Sequence, residues 1–112
     1  MTNEIQEGKH LIMNLFRCEK LPLEEDAHKL FTKITDSNNM KILIQPCIIA
    51  RADGISGFVI TETNHISIHT NYSTRFIALD LYSCVTFDEN KVKDRIINLF
   101  KPKLEETKII RR

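Results

Sequence analysis

The chain has 112 residues, 42% hydrophobic and 28% charged. That is enough for one two-layer domain, residues 1–112, with the balance of an ordinary globular protein. Its 16 basic and 15 acidic residues leave a net charge of +1, which excludes the strong basic field that nucleic acid or an anionic membrane surface would require. No apolar run approaches the roughly 18 residues of a membrane-spanning helix.

Met1-Thr2-Asn3-Glu4-Ile5-Gln6-Glu7 has no basic segment leading into an apolar one. No signal peptide is expected, and residues 1–7 should fray. Cys18, Cys47 and Cys84 are odd in number and widely spaced, which suits reduced thiols in a cytoplasmic protein.

From Lys9 to Arg17, Leu11, Met13 and Leu15 alternate with His10, Ile12, Asn14 and Phe16. This predicts a central strand, apolar on both sides. Leu21-Pro22 should open a helix whose first turn carries Glu24, Glu25 and Asp26, where negative charge suits the helix dipole. Leu23, Ala27, Leu30, Phe31 and Ile34 share one helical face. Asp36 to Asn39 should end the helix as a turn.

Met40 to Ile49 is predicted as a strand that Pro46 confines to an edge or bends. Arg51 to Gly54 reads as a loop, followed by strands at Gly57–Thr61, His65–Thr70 and Arg75–Val85. Asp88 is a helix N-cap candidate. The helix after it should bury Val92, Ile96, Leu99 and Phe100 and stop before Pro102. Lys103 to Ile110 is a last strand, with Arg111-Arg112 exposed. The order is β-α-β-β, then β-β-α-β. The expected fold is an α+β two-layer sandwich with a mainly antiparallel sheet and both helices on one face.

The chemistry concentrates in residues 54–70. His65, Ser67 and His69 alternate with Ile66, Ile68 and Thr70, so two imidazoles and a hydroxyl share one face of a strand. With Asp80, Tyr82 and Cys84 they make the face away from the helices polar enough for a site or a dimer surface. His65 and His69 lie roughly 13 Å apart along a strand, too far to share one ion, and no metal is expected.

Gly54-Ile55-Ser56-Gly57 followed by His65-Ile66-Ser67-Ile68-His69-Thr70 resembles the prokaryotic-type (class 1B) S-adenosylmethionine decarboxylases. Those proenzymes carry Gly-x-Ser-Gly, then Glu-Ser-His, then Ser/Thr-Ile-His-Thr. Gly8-Lys9-His10-Leu11-Ile12 with Cys18, and Ala78-Leu79-Asp80-Leu81-Tyr82-Ser83-Cys84, extend the resemblance over nearly the whole chain. Arg17 stands where the family usually has glycine.

The resemblance implies a protomer that dimerises through its sheet and acts in polyamine (spermidine) biosynthesis. In active members a serine attacks the preceding carbonyl, the backbone cleaves, and the new N-terminus becomes a pyruvoyl group, an electron sink for decarboxylation. By the same resemblance, His69 and Ser56 match the self-processing residues, and Cys84 matches the cysteine that returns the proton.

The processing serine is absent. Counting back from His69, its position falls on Asn64, and the preceding glutamate falls on Thr63. An amide has no hydroxyl nucleophile. A one-residue shift would place Thr63 on the serine, with a β-branch that restricts it. Ala50 lies near an expected aromatic, and Asn71-Tyr72-Ser73 replaces the family's Trp-Pro-Glu, which removes groups that would hold a cation.

The sequence therefore predicts a divergent homologue that does not self-cleave and has no pyruvoyl cofactor. It would be a homodimer, or a heteromer with an active paralogue. Glu62, His65, Ser67 and Tyr72 are candidate contacts for S-adenosylmethionine or a polyamine. One alternative is an active decarboxylase using Thr63; another is an amine- or nucleoside-binding module. On the plainer reading His69 is a fold residue and Cys84 a small packing residue.

Overall fold

Strand periodicity fixes one face of a six-stranded sheet. Leu11, Met13 and Leu15 are buried on β1 (Lys9–Phe16), and the residues between them are half-buried. The computed structural model describes residues 8–112, so the expected fraying of residues 1–7 lies outside the described residues. The remaining elements are α1 (Glu24–Ser37), β2 (Ile42–Arg51), β3 (Gly54–Thr61), β4 (Asn64–Asn71), β5 (Phe76–Ser83), α2 (Glu89–Phe100) and β6 (Leu104–Arg111).

The strands run in the order β2-β3-β4-β5-β1-β6, and every neighbouring pair is antiparallel. Ala27, Leu30, Phe31 and Ile34 of α1 join Val92, Ile96 and Phe100 of α2 in one core. The sheet contributes Leu11, Met13, Val59, Ile66, Ile68, Ile77, Leu79 and Leu81 to it. Both helices thus cover the same face, and the molecule is the expected two-layer α+β sandwich. Among the described residues, no helix is long and apolar enough to cross a membrane.

Several boundaries differ from the sequence reading. The first strand is not central: it lies between β5 and β6, one place from an edge. It stops at Phe16 because Arg17 turns the backbone left-handed (φ 51°). Helix α1 begins after Pro22, not at it. Leu23 is the extended N-cap residue, 59% exposed, and therefore not part of the buried stripe. Asp26 helps close that end by accepting the Leu23 backbone N–H at 2.8 Å.

Strand β2 is an edge, and its register slips between Ile44 and Cys47, so Pro46 bends the strand as well as lying on an edge. The predicted loop at Arg51–Gly54 is a tight hairpin in which Arg51 pairs with Gly54. Gly54 has φ 154°, and a Cβ there would fall on the Thr70 carbonyl oxygen, so only glycine fits.

In α2, Asp88 caps the first turn by accepting from Lys91 N at 3.1 Å, but Leu99 is 38% exposed and leaves the buried stripe. Arg111 and Arg112 are exposed as expected, yet Arg111 lies within β6 and Arg112 exchanges two backbone hydrogen bonds with Gly8 (3.0 and 2.7 Å).

Candidate functional site

The face of the sheet turned away from the helices carries Ser56, Phe58 and Ile60 on β3, His65, Ser67 and His69 on β4, and Ala78, Asp80 and Tyr82 on β5. Register sets their rows: Ser56 pairs with His69 and His69 with Ala78; Phe58 pairs with Ser67 and Ser67 with Asp80; Ile60 pairs with His65 and His65 with Tyr82. The half-exposed alternation along β4 follows directly from its sequence.

Two groups of chemistry-bearing residues result, at opposite ends of this face. At one end, Ser56 Oγ lies 2.7 Å from His69 Nδ1. Arg51 donates to Ser56 Oγ at 3.1 Å, and its guanidinium lies 3.8 Å from Asp53. Ser56, Phe58, Ser67, His69 and Asp80 line a shallow cavity of about 310 Å³. Asp80 also meets His10 across β1, Nε2 to Oδ1 at 3.0 Å. Arg51 carried no signal in the sequence reading. Its position two residues beyond Ile49, on an alternating strand, was the available clue.

At the other end, Glu62 and Thr63 form the turn between β3 and β4. Thr61 Oγ1 accepts the backbone N–H groups of Thr63 (3.2 Å) and Asn64 (3.0 Å), and its hydroxyl donates to the Asn64 side-chain oxygen. Asn64 is 4% exposed and faces the core, opposite to His69. Its Nδ2 is buried with no hydrogen-bond partner among the described residues. Cys84 follows β5, is half-buried, and donates its backbone N–H to the Thr63 carbonyl at 2.9 Å. Tyr82 packs over Gly8, leaving no room for a Cβ there, and its ring lies 5.6 Å from that of His65.

His69 and Asn64 are five positions apart on β4, roughly 17 Å at strand rise. His65 and Ser67 lie between them on the His69 side. Tyr72 sits elsewhere. It packs against the core and donates its hydroxyl to the Pro22 carbonyl at 2.6 Å. Burial, then the Asp26 charge, push its pKa up.

Burial raises the Cys18 thiol above its ordinary value, partly opposed by Arg75. Glu89 is held below the usual carboxylate range, first by the Lys9 hydrogen bond. Among the described residues no group of three or more His, Cys, Asp or Glu is placed to hold a metal ion. A larger groove of about 520 Å³ runs between the outer sides of α1 and α2, lined by Lys29, Lys33, Arg95 and Leu99, across the molecule from His69.

The model of the family described as S-adenosylmethionine decarboxylase matches residues 9–112. The chain belongs to that family. Named relatives are S-adenosylmethionine decarboxylase proenzymes. That of Clostridium botulinum (strain Langeland) is 30% identical over 108 residues, 93% of each chain. That of Thermococcus kodakarensis is 30% identical over 108 residues, 94% of this chain and 76% of the relative. With that of Synechococcus sp. (strain WH7803) the identity is 32% over 79 residues, and the match spans 62% of the relative's length.

The crystal structure of the adenosylmethionine decarboxylase from Aquifex aeolicus VF5 has the same fold. Its TM-score is 0.80 at 24% identity, covering 96% of this chain and 91% of that one.

Proposed function

We propose that this chain is a family member whose backbone stays whole: a binding or regulatory homologue in polyamine metabolism, not a pyruvoyl enzyme. The observation that carries the reading is the side chain at position 64. A pyruvoyl group begins as a hydroxyl that attacks the preceding carbonyl. Here that carbonyl, on Thr63, accepts the Cys84 N–H at 2.9 Å, so an electrophile is held and polarised. The residue that should attack it, Asn64, ends in an amide whose oxygen is engaged by Thr61. The residues present therefore do not fit the prosthetic group, and no decarboxylation step is assigned through it. Thr63 is the remaining hydroxyl on the turn, and its use would require attack on the Glu62 carbonyl by a β-branched side chain.

The spacing of the two residue groups supports a dimer. Within one protomer His69 cannot approach the Thr63–Asn64 peptide across roughly 17 Å of strand. Two copies stacked through their open faces, about a two-fold axis lying across the strands, would set one copy's His69 and Ser56 against the other's Thr63 and Cys84. Ile44, Ile49, Phe58 and Ile110 on this face are exposed apolar residues that such a contact would cover.

Intact mass tests the reading of position 64. One species near 13.1 kDa is the expected result. Two fragments with a ketone at a new N-terminus, or release of labelled carbon dioxide from S-adenosylmethionine, would establish the active alternative.

A further inference from the structure

We infer that Arg51 is a positioning residue that fixes the tautomer of His69, with the basic lone pair on Nδ1 facing Ser56. A guanidinium has only donors. Arg51 Nη2 lies 3.1 Å from Ser56 Oγ, so the serine oxygen accepts there. The same oxygen lies 2.7 Å from His69 Nδ1. With the cation on one side of Oγ, the serine proton is directed to the other, toward Nδ1. The ring nitrogen that accepts it must be unprotonated, so the imidazole carries its proton on Nε2.

The opposite arrangement would have both Arg51 and His69 donate to one hydroxyl. That would set two donors on one hydroxyl oxygen and turn the serine proton out to solvent. Asp53, 3.8 Å from Arg51 Nη1, steadies the guanidinium across the hairpin turn.

The consequence reaches the chemistry. In this state Nδ1 is occupied by Ser56, and the ring offers the cavity an N–H. Through Nε2 it can donate to a carbonyl or carboxylate oxygen, and its basic lone pair, on Nδ1, faces the Ser56 hydroxyl. Arg51 thus directs any proton that reaches His69 from this side to pass through the Ser56 hydroxyl, whatever residue stands at position 64.

Long-range nitrogen–proton correlation spectra of the nitrogen-labelled protein at pH 8 read the tautomer directly, with His69→Gln assigning the ring. The parent should show His69 as a single Nε2–H form. Arg51→Met and Ser56→Ala should each give a mixture with a clear Nδ1–H share. Arg51→Lys, which keeps a cationic donor, should retain the parent form. Unchanged signals from His10, His28 and His65 will show that each variant is folded.

A His69 found as Nδ1–H in the parent overturns the inference, as does a tautomer unmoved in Arg51→Met, whatever Ser56→Ala shows. Neither result bears on intact mass, so the failure of this inference and that of the non-processing reading are distinguishable.

Discussion

Asn64 buries an amide nitrogen that has no acceptor among the described residues. An unsatisfied buried donor of this kind destabilises by about 1–3 kcal/mol. Serine there removes the orphan and still offers Thr61 an oxygen, at the loss of some packing volume. Asn64→Ser should therefore unfold at the same temperature as the parent or higher, measured by thermal melting. It should also remain one chain by intact mass, because Ala50, Thr63 and Asn71 still differ from the family pattern. Prompt cleavage of that single variant would show that position 64 alone holds the chain whole and that the other departures do not matter.

Arg17 is a residue at odds with its backbone. A non-glycine residue at φ 51° is strained by about 1–2 kcal/mol, of which glycine's looser unfolded state returns about 0.4–1. Arg17→Gly should thus stabilise by about 0.5–1 kcal/mol in urea titrations; a loss of stability would mean the Arg17 side chain makes a contact of its own. The sequence offered both positions as departures from a family pattern. What it lacked was the environment: burial for Asn64, a left-handed backbone for Arg17.

Among the elements, α2 separates what periodicity can and cannot specify. Val92, Ile96 and Phe100 follow helical spacing into the core, and so does Leu99 on paper. The helix rotates Leu99 to the rim beside the α1–α2 groove. A pattern of apolar residues wider than the contact with the sheet cannot reveal which margin is left out. Ile96→Ala should accordingly lose about 2–5 kcal/mol, and Leu99→Ala about 0.5 kcal/mol or less, by chemical denaturation. Equal losses would place Leu99 in the core after all.

The start of α2 is also tied to β1. Lys9 Nζ lies 2.8 Å from Glu89 Oε2 and 5.3 Å from the centre of the Phe87 ring. Because the Glu89 pKa is lowered in the fold, its contribution is present above the ordinary glutamate range. That contribution is lost as the pH falls through that range to the lowered value. Lys9→Met should flatten the decline of melting temperature over that acid window and leave the neutral region little changed. A parent and variant with parallel profiles would show that the pair contributes nothing. Such a link between residues 80 positions apart has no signature in a single sequence.

At the scale of the whole molecule, the alternation of six strands and the stripes of two helices were enough to predict a two-layer sandwich. The strand order was not legible. Antiparallel neighbours follow from short connections, but nothing local says that β1 inserts between β5 and β6. That insertion puts His10 beside Asp80 and completes a broad open face, polar at its centre and apolar at Ile44, Ile49, Phe58 and Ile110.

A face of this composition, on a chain whose candidate residues sit at opposite ends, argues for a second copy. The protein should sediment at twice 13.1 kDa at micromolar concentration. Ile49→Glu and Phe58→Glu should each shift it to the monomer mass, since a buried unpaired carboxylate in an apolar contact is strongly unfavourable. Leu99→Glu, on the helix side, should leave the dimer intact and serves as the control for charge alone. A monomeric parent would remove the dimer. A dimer broken by Leu99→Glu but not by Phe58→Glu would move the interface to the helical side, leaving His69 and Thr63 with no route to one another.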